Sequence, residues 1–124
     1  MVPVIHHVDR LTVLQLAGRI EELAQKARAG TLTGDEMSGG TFTISNVGPE
    51  DVGIFTPIIV RPQAAILGIG SAAAKPAVYN NQIAIRQIAH LCLSYDHRAV
   101  DGVPGARFRQ AVKWLLENPL LLLN

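Results

Sequence analysis

One cysteine in 124 residues excludes an internal disulfide. That residue, Cys92, lies inside an apolar strand-like run and reads as a buried structural thiol rather than a nucleophile. Charge is also scarce, at 17% of the chain, with a formal net charge of +1. Lys and Arg are scattered, which excludes a nucleic-acid stripe and a polybasic membrane anchor. No apolar run approaches the roughly 20 residues of a bilayer helix, and no signal peptide is present. The expectation is a soluble, intracellular protein with neither nucleic-acid nor membrane partners.

Apolar residues are plentiful, at 48%, with a mean hydropathy of +0.24. The length suits one domain or a piece of a larger one. A small domain buries a modest share of its surface, so this surplus predicts extensive contact between subunits.

Met1–Ile5 reads as a strand. Thr12 and Gln15 have capping-box spacing, and Val13, Leu16, Ala17, Ile20, Leu23, Ala24 and Ala27 recur at helical period until Gly30. Thr41–Asn46 alternates like a half-buried strand and stops at Gly48-Pro49. Residues 57–60 read as a short extended piece, and 64–70 as a buried strand. Pro76–Tyr79 and Gln82–Ile85 flank Asn80-Asn81, a hairpin turn, with the second arm expected to run on through Leu93. Pro104 suits the first turn of a closing helix whose inner face is Phe108, Val112 and Leu115, ended by Asn118-Pro119. Strand, helix, several strands, helix is the order of an α+β fold, a mixed sheet covered by helices.

Three local patterns invite chemistry that their context does not support. Gly68-Ile69-Gly70 through Ala73 resembles a dinucleotide fingerprint, but Lys75-Pro76 interrupts the helix it requires, so the glycines read as a crowded strand end. His6, His7 and Asp9 have no second ligand pair at metal spacing and read as solvated loop residues. His90 reads as a packing or interface residue.

His97 is different. It follows the apolar run Ile88–Leu93 and precedes Asp101-Gly102, which puts an imidazole where a buried element opens into a loop. Spacing alone leaves two readings open, a catalytic base and a turn anchor.

Three segments occur in order: Gly39-Gly40-Thr41-Phe42-Thr43-Ile44-Ser45-Asn46-Val47-Gly48, Pro62-Gln63-Ala64-Ala65-Ile66-Leu67-Gly68-Ile69-Gly70, and Asp96-His97-Arg98-Ala99-Val100-Asp101-Gly102. Together they resemble the C-terminal half of the catalytic domain of the dihydrolipoamide acyltransferases, the core components of 2-oxoacid dehydrogenase complexes. Val2–Ile5, the first helix and Leu116–Leu120 are similar to that family as well, so the resemblance spans residues 1–124. It implies a chloramphenicol acetyltransferase-like fold and reversible acyl transfer between coenzyme A and a lipoyl group carried on a separate domain. By this resemblance His97 is the general base, Ser45 the oxyanion donor, Asp101 a supporting carboxylate that holds the loop by pairing with a basic side chain, and Gly102 the residue that permits the turn. It further implies a site shared between subunits of a homotrimer, one giving the histidine and its neighbour the serine. Such trimers build a larger core that meets lipoyl domains, the decarboxylase and dihydrolipoamide dehydrogenase, in the cytoplasm or a mitochondrial matrix.

The family's catalytic domain is about twice this length, within the range open to one domain, so the resemblance implies a fragment lacking the N-terminal half. Glu50-Asp51-Val52 replaces the family's less acidic, glycine-rich stretch, and the acyl group is not legible. Two other readings remain: a non-catalytic scaffold of such a complex, and an O- or N-acyltransferase of the chloramphenicol acetyltransferase type.

Overall fold

A computed structural model describes residues 2–123. The first helix, α1, spans Val13–Ala29. Thr12 caps it: its hydroxyl accepts the Gln15 N–H at 3.2 Å, and the Gln15 side chain accepts the Thr12 N–H at 2.9 Å, so two orphan donors of the first turn are satisfied. Gly30 ends the helix at φ +70°, a conformation open to glycine at little cost. Leu23 is the residue α1 buries most completely. In the last turn Lys26 donates to Glu36 at 2.6 Å, fastening α1 to the following loop. That ammonium, with the Thr33 backbone N–H, holds the Glu36 carboxyl at about 2.

The expected opening strand does not form. Met1 lies outside the described residues, and Val2–Ile5 join no ladder. Val4 instead donates one backbone bond to the Glu36 carbonyl at 2.7 Å. Alternating apolar residues supply a strand face but not a partner edge, and here the neighbouring backbone is a turn.

The main sheet has β1 (Thr43–Asn46) parallel to β2 (Ala65–Ile69), which pairs antiparallel with β5 (Leu91–Tyr95). β2 is central, and Ile66 and Leu67 are buried. Between β2 and β5 the chain forms a hairpin, β3 (Ala73–Tyr79) with β4 (Gln82–Ile88). Asn80 and Asn81 make its turn with φ of 49° and 59°, the left-handed pair that a two-residue turn requires.

The second arm does not continue unbroken to Leu93. β4 stops at Ile88, paired with Ala73, and β5 restarts at Leu91, paired with Ile69. Across the break the Gly70 N–H donates to the His90 carbonyl at 3.0 Å. One bent ladder thus feeds two sheets, and His90 marks the corner.

α2 (Gly102–Glu117) follows, with Pro104 in its first turn. A mixed sheet, a hairpin and two helices make the α+β architecture expected from the order of elements. The chain divides into two compact units, residues 1–41 with 110–124 and residues 42–109. Among the described residues no helix is long and apolar enough to cross a membrane.

The apolar surplus has a location. Val78, Ile83 and Ile85 project from one face of the hairpin and are 75%, 83% and 80% exposed. A two-stranded hairpin is marginal by itself, and this row is apolar surface that the described residues leave uncovered.

Glycine positions give the first prediction. A Cβ on Gly70 would collide with the Gly53 carbonyl oxygen, a backbone atom that cannot rotate away. Gly18, within α1, has nothing within 4 Å. Gly70→Ala is expected to destabilise the protein by about 3 kcal/mol, at the upper end of overpacking costs. Gly18→Ala should stabilise it by about 1 kcal/mol through helix propensity. Thermal unfolding midpoints check both, and equal midpoints for the two variants would refute the account.

Candidate active site

Ser45, His97 and Asp101 all lie in the unit formed by residues 42–109. Ser45 is on β1, half-buried, on the same face as buried Thr43, whose hydroxyl donates to the Gln63 side chain at 2.6 Å. Its lateral neighbour on β2 is Gly68, and Gly68 is in turn level with Cys92 on β5. Laterally paired residues project to the same side of a sheet. The space above Gly68 is taken by the Phe55 ring, which a Cβ there would meet at 2.6 Å. An aromatic ring therefore lies over the sheet beside the serine. The two glycines of the apparent fingerprint serve this crowding: Gly68 admits Phe55, and Gly70 admits the 52–53 backbone. The chain then enters β3 rather than a helix.

The strand end carrying Ser45 is tied to β2, and the loop that follows it is tied to the segment after β2. The Val47 N–H donates to the Ile69 carbonyl at 3.1 Å, the Ser71 N–H to the Val52 carbonyl at 2.8 Å, and the Gly48 N–H to the Asn46 side chain at 2.9 Å. Asp51 closes the short turn over Gly48–Glu50 with φ +57°.

His97 is two residues past β5, in a turn, with its side chain 74% exposed. Its ring stands 6.1 Å from that of Tyr95. Asp101 precedes α2, and its carbonyl accepts the Gly105 N–H at 3.1 Å, which makes it the N-cap residue. Its carboxylate lies 3.7 Å from His97 Nδ1, too long for a hydrogen bond. No basic side chain pairs with Asp101 among the described residues; the ring of His97 is its one ionic neighbour there.

Gly102 does not supply the turn by special backbone freedom. It is the first residue of α2, and the positive-φ glycines among the described residues are Gly30 and Gly39. The glycine that matters for close approach is Gly105, where a Cβ would meet the Tyr95 ring at 2.8 Å. That contact seats the first turn of α2 directly on β5. The signal for it was a glycine one turn after Asp101, unremarkable in sequence without Tyr95 opposite.

Asp96 is the residue that sequence reasoning passed over. Its carboxyl is held at about 2, first by the Arg98 side chain, then by the Arg98 backbone N–H, with Arg61 adding its charge. Beneath this turn Phe42, Leu93, Tyr95, Val100 and Phe108 line an apolar hollow of about 340 Å³. Cys92 is free and half-buried.

The register separates Ser45 from His97. Ser45 is level with Cys92, three residues before the end of β5 and on the far side of β2. Three residues along a strand cover about 10 Å, and two strand spacings cover about 10 Å more, so the backbones stand on the order of 15 Å apart even before the turn carries His97 further. A hydroxyl and an imidazole reach a few ångströms each, so the two side chains of one copy do not meet.

His6 and His7 are exposed, and His6 Nε2 bonds the Asp35 carbonyl at 3.1 Å. His7 takes φ +54° in a turn, so the pair lies in a loop, not on a strand.

The profile of the family described as 2-oxoacid dehydrogenases acyltransferase (catalytic domain) matches residues 1–124. The dihydrolipoyllysine-residue acetyltransferase components of the pyruvate dehydrogenase complexes of Staphylococcus aureus and Staphylococcus epidermidis are 49% and 47% identical over 123 residues, 99% of this chain. The chain spans 29% and 28% of those proteins. Among solved structures, a probable dihydrolipoamide acetyltransferase from Listeria monocytogenes superposes with a TM-score of 0.91 at 41% identity, over 94% of this chain and 50% of that one. The dihydrolipoamide acetyltransferase of Azotobacter vinelandii gives 0.91 at 42% identity, over 98% of this chain and 50% of that one. The cubic core of a pyruvate dehydrogenase multienzyme complex gives 0.91 at 41% identity, with the same coverage.

Proposed function

The chain belongs to the 2-oxoacid dehydrogenase acyltransferase catalytic-domain family, and from that membership we propose that it transfers an acetyl group between the thiols of coenzyme A and a dihydrolipoyl arm, with His97 as general base and Ser45 as oxyanion donor. Coenzyme A and the lipoyl arm are substrates here. His97 takes the proton from the attacking thiol, and the thiolate adds to the thioester carbonyl. The oxygen that gains charge accepts a hydrogen bond from the Ser45 hydroxyl. Collapse expels the second thiolate, which recovers its proton from His97.

One observation carries the assignment. The Azotobacter enzyme was studied for the role of a serine, a histidine and an asparagine in its catalytic mechanism, and its serine and histidine are spaced as Ser45 and His97 are here. Its asparagine falls four places after the histidine, where this chain has Asp101. A neutral side chain at that place in a relative supports a supporting role for Asp101, not a charge relay.

Because Ser45 and His97 of one copy are far apart in the sheet, the reading requires a site made by two copies, in a homo-oligomer whose trimers build a larger core. In the working complex the core would be served by lipoyl domains, a decarboxylase and dihydrolipoamide dehydrogenase, in the cytoplasm or a mitochondrial matrix.

Mixing tests the shared site. His97→Ala and Ser45→Ala copies of the full-length protein, each at least about 10²-fold slower alone, are expected to regain activity when co-assembled. In a ring where each site takes its histidine from one copy and its serine from the next, random mixing leaves about a quarter of the sites intact. Acetyl transfer from acetyl-coenzyme A to free dihydrolipoamide is the assay. Absence of recovery in verified mixed oligomers overturns the shared site. Transfer to a hydroxyl or amine acceptor in preference to the dithiol would favour the chloramphenicol acetyltransferase-type reading, and no transfer by wild type would favour a scaffold.

A further inference from the structure

The turn that presents His97 is closed almost entirely by one residue. The Asp96 N–H donates to the Ala64 carbonyl at 2.8 Å, fixing the start of the turn to the beginning of β2. The Asp96 carbonyl accepts the N–H groups of Ala99 at 2.9 Å and Val100 at 3.0 Å. Its carboxylate accepts the Arg98 N–H at 2.9 Å, and the Arg98 guanidinium at 2.6 to 3.1 Å. The backbone on either side of His97 is therefore pinned to Asp96, while the imidazole itself stands in the open.

We propose that Asp96 is a positioning residue for the acyl transfer: its short carboxylate closes an Asx-type turn around His97 and so fixes the direction in which the imidazole points. The proposal rests on the reading of His97 as the base. The bond to the Arg98 backbone N–H is the essential one. Aspartate is suited to it because its side chain reaches a backbone N–H two residues on. The guanidinium contact is secondary. Arg98 is 90% exposed, and an ion pair so placed contributes little in water. What turn closure provides is aim, and a misplacement of about 1 Å at a reacting group can cost on the order of 10²-fold in rate.

The full-length protein with Asp96→Ala is expected to lose about 10²-fold in kcat, with KM for both substrates and oligomer size unchanged and the thermal midpoint lowered by a few degrees. Asp96→Asn keeps an oxygen for the Arg98 N–H and should stay within about tenfold of wild type, whereas Asp96→Glu keeps the charge but overshoots the turn and should fall as far as alanine. Arg98→Gln should stay within about threefold. A role carried by charge gives the reverse order, Glu active and Asn inactive, and overturns the proposal. So does wild-type kcat in Asp96→Ala while His97→Ala is inactive, a result that leaves the base assignment standing. Wild-type kcat in His97→Ala overturns the base assignment and this proposal together. Should the alanine variant not assemble, the order of Asn and Glu decides.

Discussion

With His97 as the proposed base, His97→Ala is expected to lower acetyl transfer by about 10²–10⁴-fold, the range that positioned acid–base groups contribute, while the oligomer assembles unchanged. Assembly is expected to survive because the His97 side chain is mostly exposed and the turn around it is held by backbone and Asp96 bonds. About 30-fold of the loss follows from the thiol, and the rest from the lost positioning of that thiol and of the proton returned to the leaving thiolate. An ordinary thiol with a pKa near 8.5 is only about 3% thiolate at pH 7, and the neutral form is a poor nucleophile. A base at hydrogen-bond distance removes that penalty as the carbon–sulfur bond forms. The variant must instead draw on whatever thiolate the solvent provides, so its residual rate should climb about tenfold per pH unit up to the thiol pKa. Steady-state assays with acetyl-coenzyme A and free dihydrolipoamide across that range check both statements. Full activity at pH 7 would remove His97 from the mechanism, and a residual rate that is flat with pH would show that the lost function is not proton removal.

Local chemistry made much of this fold legible. Thr12 with Gln15 announced the start of α1, Gly30 its end, Asn80-Asn81 the hairpin turn and Pro104 the first turn of α2, because each feature is decided within a few residues. The failures were decided at longer range. Ile83 to Leu93 is rich in apolar and β-branched residues with no Gly or Pro to break it, yet the ladder breaks at Ala89-His90 because Ala73 and Ile69 are the ends of two different strands. Val2–Ile5 has strand composition without an edge to join. At the site, the resemblance named Ser45 and His97 and implied that they come from different copies; their separation within one copy depends on β2 lying between β1 and β5. Gly102 drew attention as a turn glycine, whereas the close approach belongs to Gly105, legible only with the Tyr95 ring in place. Asp96 escaped notice because its work is hydrogen bonding to its own turn, and an aspartate beside a histidine carries no periodic signature.

Ser45→Ala should lower kcat by about 10²–10³-fold, or about 2.7–4 kcal/mol, the usual cost of one oxyanion-hole donor, with little change in KM for either substrate. The reason for the split lies in when the hydroxyl is used. A thioester carbonyl in the ground state carries little charge and is bound by the rest of the substrate, whereas the tetrahedral state places a full charge on that oxygen. A donor engaged mainly in the second state alters kcat and kcat/KM equally. The setting strengthens the effect. Ser45 is half-buried on a strand whose far end is tied to β2, and the Phe55 ring lies over the adjacent Gly68. A hydroxyl fixed beside an apolar ring acts in a lower dielectric than water and needs no reorganisation as charge appears. Alanine removes only the oxygen, so the strand and its ties persist and assembly should be unchanged. A raised KM with kcat intact would make Ser45 a substrate-binding group instead. Wild-type values of both constants would sink the oxyanion assignment while leaving His97, on the opposite side of β2, untouched.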